Sequence, residues 1–270
     1  MPVSQIWVGC CGFPVARKKY FEHFKTVELQ QTFYNLPEKK TAEKWRNEAP
    51  TDFRFNMKAW QVITHPASSP TWRRLRQPPP GKKENYGYMK PTRENLSAWI
   101  KTVEIAAILN AHVIVLQTPP SFGYSEENAT MVREFFKEAT GYIEDKGKIV
   151  IGWEPRGTWR NHKEVLQSIM CNYGIIHIVD PLRDEPIICQ SQSVLYFRLH
   201  GLGGREVNYR YKYTDEDLSR LVKIIEKYIV NNDISDIYVM FNNIYMFEDA
   251  QRFRSIARDN FATSKQIVVH

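Results

Sequence analysis

Eight short apolar runs are spaced along the chain, and most of them are followed by a segment with helical periodicity. Strands of a parallel sheet that are buried on both faces have near-continuous apolar runs, and covering helices follow them. Eight strand–helix units in 270 residues predict the α/β class and a single closed (β/α)8 barrel domain over residues 1–270. The runs are residues 6–9, 26–29, 53–59, 112–116, 149–153, 175–179, 194–199 and 237–241.

Helix signals support this strand count. Thr92, Ser125 and Thr214 each precede an amphipathic segment, and Ser and Thr are favoured at helix N-caps. We expect Asn161 to cap a shorter helix and a last helix to cover residues 247–260. Between strands six and seven, prolines interrupt a polar stretch, so we expect the covering helix there to be irregular or missing.

Composition narrows the class of protein. A chain with 43% hydrophobic residues is large enough to bury one core. No apolar run approaches the roughly 18 residues of a membrane span, and the N-terminus lacks a charged region followed by an apolar core. The four cysteines have no metal-ligand spacing and are too few for a secreted disulfide framework. We therefore expect a cytoplasmic protein with reduced cysteines and no membrane partner.

Most of the net charge of +7 lies in residues 66–95, which we call the basic segment. It holds seven Lys and Arg against two Glu (7 − 2 = +5), so the remaining chain carries only +2. Its six prolines and two glycines are incompatible with a regular helix or strand. Because it follows the third strand, we expect a loop over the C-terminal barrel face. This loop is either a cationic lid for an anionic substrate or a disordered, solvated connection.

Four residues near strand ends are the candidates for catalysis: Glu28, Lys58, Glu154 and His200. Glu28 lies inside an apolar run, where a carboxylate is costly unless it is paired, so it is either a site residue or half of a structural ion pair. Lys58 suits an oxyanion as a compact point charge, unless it forms an internal ion pair. Glu154 suits a general base, and His200 can donate and accept a proton near neutral pH.

Further polar residues near strand ends are candidates for substrate binding. Arg156, two residues after Glu154, either pairs with that carboxylate or clamps an anion. Asp180 is suited to orient a neighbour, bind a metal or cap a turn. No metal-ligand spacing and no motif for an organic cofactor are visible, so the sequence leaves a divalent metal open. The candidates are Gln31, His65, Gln117, Arg156, Asp180, Arg198, Asn242 and Asn243.

Several short motifs follow one another in order along the chain. They are Val-Gly at 8–9, Val-Glu-x-x-x-Thr-Phe-Tyr at 27–34, Lys58 with Thr64-His65, Glu154-x-Arg156-x-x-Trp159, Arg198-x-His200-Gly201 and Phe241-Asn242-Asn243. Together they resemble the YecE-like family, known as domain of unknown function 72, over about residues 6–255. The resemblance implies a TIM-type barrel, and it assigns no firm reaction. Cys10-Cys11-Gly12-Phe13 stands where the family commonly has Thr-Ser-Gly-Trp, so we expect shared mouth chemistry with a different substrate.

Three functional hypotheses stay open, and all assume that the strand ends meet at one rim. The first is a nuclease-like hydrolase of phosphodiesters in nucleic acid, in which cations stabilise phosphate charge while Glu154 or His200 activates water. The second is an isomerase or lyase that acts on a small sugar phosphate by Glu/His proton transfer. The third is a non-enzymatic nucleic-acid-binding protein that uses the basic segment and the alternating aromatic and basic residues 209–213. In each case the partner is anionic, and in the first and third it is DNA or RNA.

Overall fold

The structure, a computed structural model, describes residues 3–143, 149–204 and 206–270. The chain forms two compact units. The first unit consists of residues 1–28 and 176–270, and the second unit consists of residues 29–175. Each unit contributes its own strands and its own cluster of buried polar side chains.

The apolar runs form parallel strands, as the sequence predicts. The strands are β1 (Ser4–Cys11), β2 (Thr26–Leu29), β3 (Arg54–Lys58), β4 (Ala111–Gln117), β5 (Val150–Glu154), β6 (Ile176–Val179), β7 (Val194–Leu199), β8 (Asp236–Phe241) and β9 (Ile267–Val269). Their order in the sheet is β2-β3-β4-β5-β6-β7-β8-β1-β9, and β1 also pairs with β2. The first eight strands therefore have the order of a closed (β/α)8 barrel, which confirms the predicted fold class, while β9 is an additional strand beside β1.

Strand register aligns the ends of neighbouring strands within each unit. In the first unit, residues 5–10 of β1 and residues 194–199 of β7 both lie opposite residues 236–241 of β8. In the second unit, Gln117 at the end of β4 lies opposite Glu154 at the end of β5. Because paired parallel strands run in the same direction, polar residues at their carboxyl ends lie at the same end of the sheet within each unit.

The predicted helices are present, with one error at a helix start. The side chains of Thr92 and Ser125 accept backbone hydrogen bonds, which confirms both as N-caps. The prediction that Asn161 caps a helix is wrong, because residues 157–161 form a 3-10 turn. The helices are α1 (Arg17–His23), α2 (Gln31–Tyr34), α3 (Lys39–Glu48), α4 (Gln61–Thr64), α5 (Arg93–Leu109), α6 (Glu126–Gly141), α7 (Lys163–Tyr173), α8 (Asp215–Asn231) and α9 (Met246–Asn260).

Residues 180–193 contain no helix, which confirms the irregular connection that the sequence predicts between β6 and β7. Within the described ranges, no helix is long and apolar enough to cross a membrane.

Helix α8 begins with a capping box that gives a direct stability test. The hydroxyl of Thr214 accepts from the Asp217 backbone N–H at 3.2 Å, and the Asp217 carboxylate accepts from the Thr214 backbone N–H at 3.0 Å. Thr214→Ala should therefore lower the free energy of unfolding by about 1 kcal/mol, as measured by urea denaturation. Thr214→Ser keeps the hydroxyl and should stay close to wild type. Equal losses in the two variants would show that the hydroxyl does not stabilise the helix.

The basic segment is folded against α4. The backbone N–H of Gly87 donates to the carbonyl oxygen of Val62 at 2.8 Å, and the indole N–H of Trp72 donates to the carbonyl oxygen of His65 at 2.9 Å. Two 3-10 turns lie within the segment, at residues 70–74 and 83–85. Up to Thr92 the segment is therefore an ordered loop, and residues 93–95 begin α5. Its position over the C-terminal barrel face stays a prediction.

The four cysteines fall into two groups. Cys10 and Cys11 are free and buried, and burial raises the pKa of both thiols well above the ordinary value. Thiolates are the reactive form of cysteine, so these two side chains behave as inert core residues. Cys171 is disulfide-bonded and so is Cys189, which makes the expectation of reduced cysteines wrong for both residues.

Candidate functional site

Glu28 and Arg198 form a buried ion pair in the first unit. Arg198 Nη2 lies 3.0 Å from Glu28 Oε1, and the two side chains are 1% and 0% exposed. The hydroxyl of Tyr196 donates to Glu28 Oε2 at 2.9 Å. Burial and the neighbouring Glu28 charge raise the pKa of Tyr196 well above its ordinary value, so this hydroxyl stays a neutral donor. Both carboxylate oxygens of Glu28 therefore have partners, which agrees with the structural ion pair that was one of the two alternatives from the sequence. The catalytic role of Glu28 stays a prediction.

His200 follows β7 with its imidazole oriented by the backbone. Nδ1 lies 3.1 Å from the carbonyl oxygen of Arg198. A carbonyl oxygen only accepts, so Nδ1 carries the proton in this contact and the neutral ring has its lone pair on Nε2. Asp180 Oδ2 accepts from the His200 backbone N–H at 3.4 Å, and Asp180 Oδ1 accepts from the Leu182 backbone N–H at 3.0 Å. Asp180 therefore caps the turn after β6 and orients the residue that follows β7.

The loop after β7 is held in a conformation that requires glycine. Arg183 donates to the carbonyl oxygens of Gly201 and Gly203, at 3.1 Å and 2.9 Å respectively. The hydroxyl of Tyr213 accepts from the Gly201 backbone N–H at 2.7 Å. Gly201 has a φ of +83°, and a Cβ added there would lie 2.1 Å from the carbonyl oxygen of Asn208. A side chain at this position would therefore displace the loop beside His200.

Two of the three tyrosines in the alternating residues 209–213 make structural contacts. The hydroxyl of Tyr211 donates to Asp217 at 2.6 Å, and Tyr213 is buried. Tyr209 is 47% exposed, and its ring centroid lies 6.1 Å from that of His200. Of these three tyrosines, Tyr209 is the one whose exposure fits the predicted stacking against a base or sugar ring.

The two asparagines after β8 make different contacts. Asn243 is buried, and its Nδ2 donates to the carbonyl oxygen of Tyr211 and to Asp249 Oδ2, each at 2.7 Å. The backbone N–H of Asn242 donates to the carbonyl oxygen of Leu199 at 2.9 Å. Asn243 therefore ties loops together, one of the two roles that the sequence allowed, and ligand contact by either asparagine stays a prediction.

Lys58 ends β3 in the second unit and is buried. Its Nζ lies 4.0 Å from the centroid of the Phe33 ring, which is a cation–π distance. The hydroxyl of Thr32 donates to the carbonyl oxygen of Lys58 at 2.7 Å. Two neighbouring residues of α2 thus fix the end of β3 and the charged group of Lys58.

His65 is held in its neutral form beside two cations. Burial is the largest cause that lowers its pKa from 6.5 to about 3, and the charges of Lys58 and Arg156 lower it further. Its Nδ1 lies 2.8 Å from the hydroxyl of Thr64, and its ring packs edge-on against Phe33 with centroids 4.9 Å apart. An imidazole with this pKa is uncharged at neutral pH and offers one N–H donor.

Glu154 and Arg156 pair with each other, which is one of the alternatives that the sequence left open. Arg156 Nε donates to Glu154 Oε1 at 2.8 Å, and Nη2 of the same guanidinium contacts the same oxygen. Trp159 supports the turn that carries Arg156, because its ring packs against Trp153 at 5.0 Å and its N–H donates to the carbonyl oxygen of Phe122 at 2.7 Å. The guanidinium therefore fixes the orientation of the Glu154 carboxylate.

The two glutamines of the candidate set lie in different environments. Gln117 is half-buried and lies in register with Glu154 on the adjacent strand. Gln31 is exposed at the start of α2. Gln117 thus lies near the Glu154–Arg156 pair, whereas the side chain of Gln31 faces solvent and its predicted role has no structural support.

Among the contacts that the sequence did not predict, three position candidate residues or the loop beside them. They are those of Tyr196 with Glu28, Trp72 with His65 and Arg183 with Gly201. The first had a signal, because Tyr196 and Arg198 are two residues apart on a strand and point to the same face. The other two join loop residues whose positions no periodicity indicates.

The second-unit cluster of Lys58, His65, Glu154 and Arg156 combines a buried cation, a neutral donor and an oriented carboxylate. The first-unit cluster combines a buried ion pair with an imidazole whose Nδ1 faces a backbone carbonyl oxygen. Across the ranges that the structure describes, no three His, Cys, Asp or Glu side chains are grouped so that they could hold a metal ion.

The depressed pKa of His65 makes stability depend on pH. Below pH 6.5 the unfolded chain binds a proton that folded His65 does not bind until about pH 3. The contribution of neutral His65 is therefore fully present above pH 6.5 and is lost as the pH falls from 6.5 toward 3. Between about pH 7.5 and about pH 5 this loss should be about 2 kcal/mol, as measured by urea denaturation.

His65→Gln should remove this component of the pH dependence, whereas His162→Gln on the half-buried residue before α7 should retain it. The same loss of stability in wild type and His65→Gln between these pH values would contradict the assignment.

The fold and the described side chains define the class of the protein as a (β/α)8 barrel in which buried cationic, acidic and imidazole side chains lie at strand ends within each unit. The particular family follows from its sequence. A family model described as "Protein of unknown function DUF72" matches residues 16–266, and the chain belongs to this family. This confirms the resemblance that the ordered motifs indicated.

Relatives share the sequence pattern or the fold. The UPF0759 protein YunF of Bacillus subtilis (strain 168) is 27% identical, over 83% of this chain and 79% of YunF. A DUF72 family crystal structure from Enterococcus faecalis V583 has a TM-score of 0.69 at 19% identity and covers 94% of this chain and 97% of that one. A sugar phosphate isomerase/epimerase from Parabacteroides distasonis has a TM-score of 0.53 at 12% identity, with 95% of each chain covered. At these identities the structural likenesses show the fold alone.

Proposed function

We propose that this protein is an isomerase or lyase that moves a proton next to the carbonyl group of a small anionic substrate of the sugar phosphate class. The observation that carries this proposal is that buried His65 and Lys58 pack on the same Phe33 ring, where burial and the charges of Lys58 and Arg156 lower the pKa of His65. A neutral imidazole with a strongly depressed pKa suits polarisation of a substrate carbonyl, because its N–H can donate without first giving up a charge. Triosephosphate isomerase, a different enzyme, uses a neutral imidazole in this role during proton abstraction.

Each residue of the second-unit cluster has a defined part in this chemistry. The Glu154 carboxylate removes a proton from the carbon next to the carbonyl, so the C–H electron pair forms a C=C bond and the carbonyl oxygen becomes an oxyanion. Lys58 and the N–H of His65 stabilise that oxyanion. For an α-hydroxy carbonyl substrate, the proton returns to the former carbonyl carbon while the neighbouring hydroxyl gives its own proton to the oxyanion, so the carbonyl and hydroxyl groups exchange places and the isomer forms. Elimination of a leaving group from the same intermediate gives the lyase product.

The charge of the cluster favours an anionic substrate. Lys58 and Arg156 supply two positive charges, Glu154 supplies one negative charge and His65 is neutral, so the cluster carries a net charge of about +1. A phosphate or carboxylate group on the substrate would find a complementary potential there. Arg156 is committed to Glu154, so we assign the oxyanion contact to Lys58.

Burial supports a small substrate. Lys58, His65 and Glu154 are each 8% exposed or less. A nucleic acid strand would have to bring its backbone into contact with these buried groups before it could react. A sugar phosphate is small enough to be enclosed by them. Hydrolysis of phosphodiesters in nucleic acid, the first of the three sequence-based hypotheses, stays a prediction. A fluorescent oligonucleotide incubated with and without EDTA tests it, and an intact oligonucleotide under both conditions would eliminate it.

Proton transfer is tested by isotope exchange. The protein is incubated in D2O with dihydroxyacetone phosphate, ribulose 5-phosphate or fructose 6-phosphate, and proton NMR follows the signal of the C–H next to the carbonyl. We expect loss of that signal with at least one substrate, at a rate proportional to protein concentration. Unchanged spectra with every member of a wider panel of aldose, ketose and keto-acid phosphates would overturn the proposal.

A further inference from the structure

Five cations of the basic segment lie in a stretch without any acidic residue. Between residues 66 and 83 the sequence contains no Asp or Glu. In the described part of the chain, none of these five side chains forms an ion pair with a carboxylate. Concentrated like charge repels itself, and an anionic partner relieves that repulsion. The five exposed cations are Arg73, Arg74, Arg76, Lys82 and Lys83.

The backbone that carries these cations is held in place. Asn35 Nδ2 donates to the carbonyl oxygen of Arg74 at 3.0 Å, and Asn35 Oδ1 accepts from the Arg76 backbone N–H at 2.8 Å. The hydroxyl of Tyr86 donates to the carbonyl oxygen of Pro80 at 2.6 Å. A fixed backbone reduces the entropy lost when a partner binds, so the charges are preorganised.

Arg74 adds a flat surface to this charge. Its guanidinium carbon lies 3.4 Å from the centroid of the Tyr34 ring, so one face of the guanidinium packs on the aromatic ring while the side chain stays exposed. Unstacked bases of single-stranded nucleic acid stack on aromatic rings and on arginine planes. A ligand that carried phosphate groups but no bases would need the positive charges and not this flat surface.

We propose that the basic segment binds single-stranded nucleic acid, with the five cations on its phosphates and Arg74 stacked on a base. This surface uses none of Lys58, His65 or Glu154, so it goes beyond proton transfer and does not depend on it. A membrane surface or an acidic protein offers negative charge without exposed planar bases, and both are therefore comparison partners in the test.

Binding is measured by the fluorescence anisotropy of a labelled oligodeoxythymidylate and of the matching oligouridylate at several salt concentrations. The slope of log K against log salt is about −0.7 per neutralised phosphate for a single strand, so five contacts give roughly −3.5. Simultaneous Arg73→Ser, Arg76→Ser, Lys82→Ser and Lys83→Ser should reduce the slope to roughly −0.7. Arg74→Lys keeps the charge but loses the flat surface, and it should weaken binding about tenfold.

A matched control removes the same number of positive charges elsewhere in the second unit, at the exposed residues Lys40, Lys101, Lys137 and Lys163, each changed to Ser. This variant should bind like wild type, and circular dichroism should show both variants folded. No binding by wild type, or equal loss in the two charge variants, would overturn the proposal. Equally tight binding to phosphatidylserine vesicles or polyglutamate would overturn the choice of nucleic acid.

Discussion

Arg198→Met should lower the free energy of unfolding by about 3–5 kcal/mol, because it leaves the Glu28 carboxylate buried without its cation. Glu28 is 0% exposed and Arg198 is 1% exposed. Water therefore does not reach the Glu28 carboxylate readily enough to solvate it in place of Arg198. Tyr196 would still donate one hydrogen bond to Glu28, but a neutral hydroxyl does not balance a full charge. Urea denaturation at neutral pH measures the difference.

The pair of Lys227 and Glu185 provides the matched control in the same unit. Its atoms are 3.8 Å apart and its side chains are 62% and 76% exposed, so Lys227→Met should change stability by less than about 0.5 kcal/mol. If Arg198→Met does not fold, the double variant Glu28→Gln with Arg198→Met should recover folding, because no unpaired charge remains. A cost for Arg198→Met no larger than that for Lys227→Met would show that the buried pair is not strongly coupled.

Glu154→Gln should lower the rate of isotope exchange about 10²- to 10⁴-fold, which is the usual contribution of a general base. Glutamine keeps the size of the side chain and an oxygen acceptor for Arg156, but its amide does not take up a proton at neutral pH. Binding of the sugar phosphate should change much less than the exchange rate, because Lys58 is unaltered. Exchange is followed by proton NMR and binding by isothermal titration calorimetry.

Glu127→Gln controls for the loss of a negative charge in the same unit, since Glu127 is exposed in the first turn of α6. It should exchange at the wild-type rate. Thermal unfolding of Glu154→Gln separates a chemical effect from a folding effect, because Arg156 loses its charged partner in that variant. Wild-type exchange by folded Glu154→Gln would remove Glu154 from the role of base.

The barrel was predictable because buried parallel strands leave a continuous apolar signal, and each predicted run lies on a strand. Helix α3 was not predicted, since Ala42 is its one buried residue and no apolar face repeats along Lys39–Glu48. Helices α2 and α4 are single turns of four residues, too short to show periodicity. The start of α7 was misplaced because the 3-10 turn at residues 157–161 uses the residue that looked like a cap.

The candidate residues were predictable from their positions, but their partners were not. Strand alternation places Arg198 beside His200, yet nothing in the sequence indicates that Arg198 Nη2 meets Glu28 or that Nδ1 of His200 points to a backbone carbonyl. The neutral state of His65 depends on burial and on the nearby charges of Lys58 and Arg156, which are properties of the folded chain. The sequence pattern therefore identified which polar groups lie at the strand ends, whereas tertiary contacts determine the protonation of those groups.

Two backbone hydrogen bonds hold the end of the basic loop against α4, where the loop begins. One joins Gly87 to Val62, and the other runs from the Met89 N–H to the carbonyl oxygen of Ile63 at 2.9 Å. What lies between the two ends of the loop can change in length at low cost, because loop-closure entropy grows slowly with the number of residues. An epitope or a fluorophore-bearing peptide is therefore best grafted at residues 77–78, which are exposed and include none of the five cations. Such a graft would give the protein a handle for immobilisation without altering its strands.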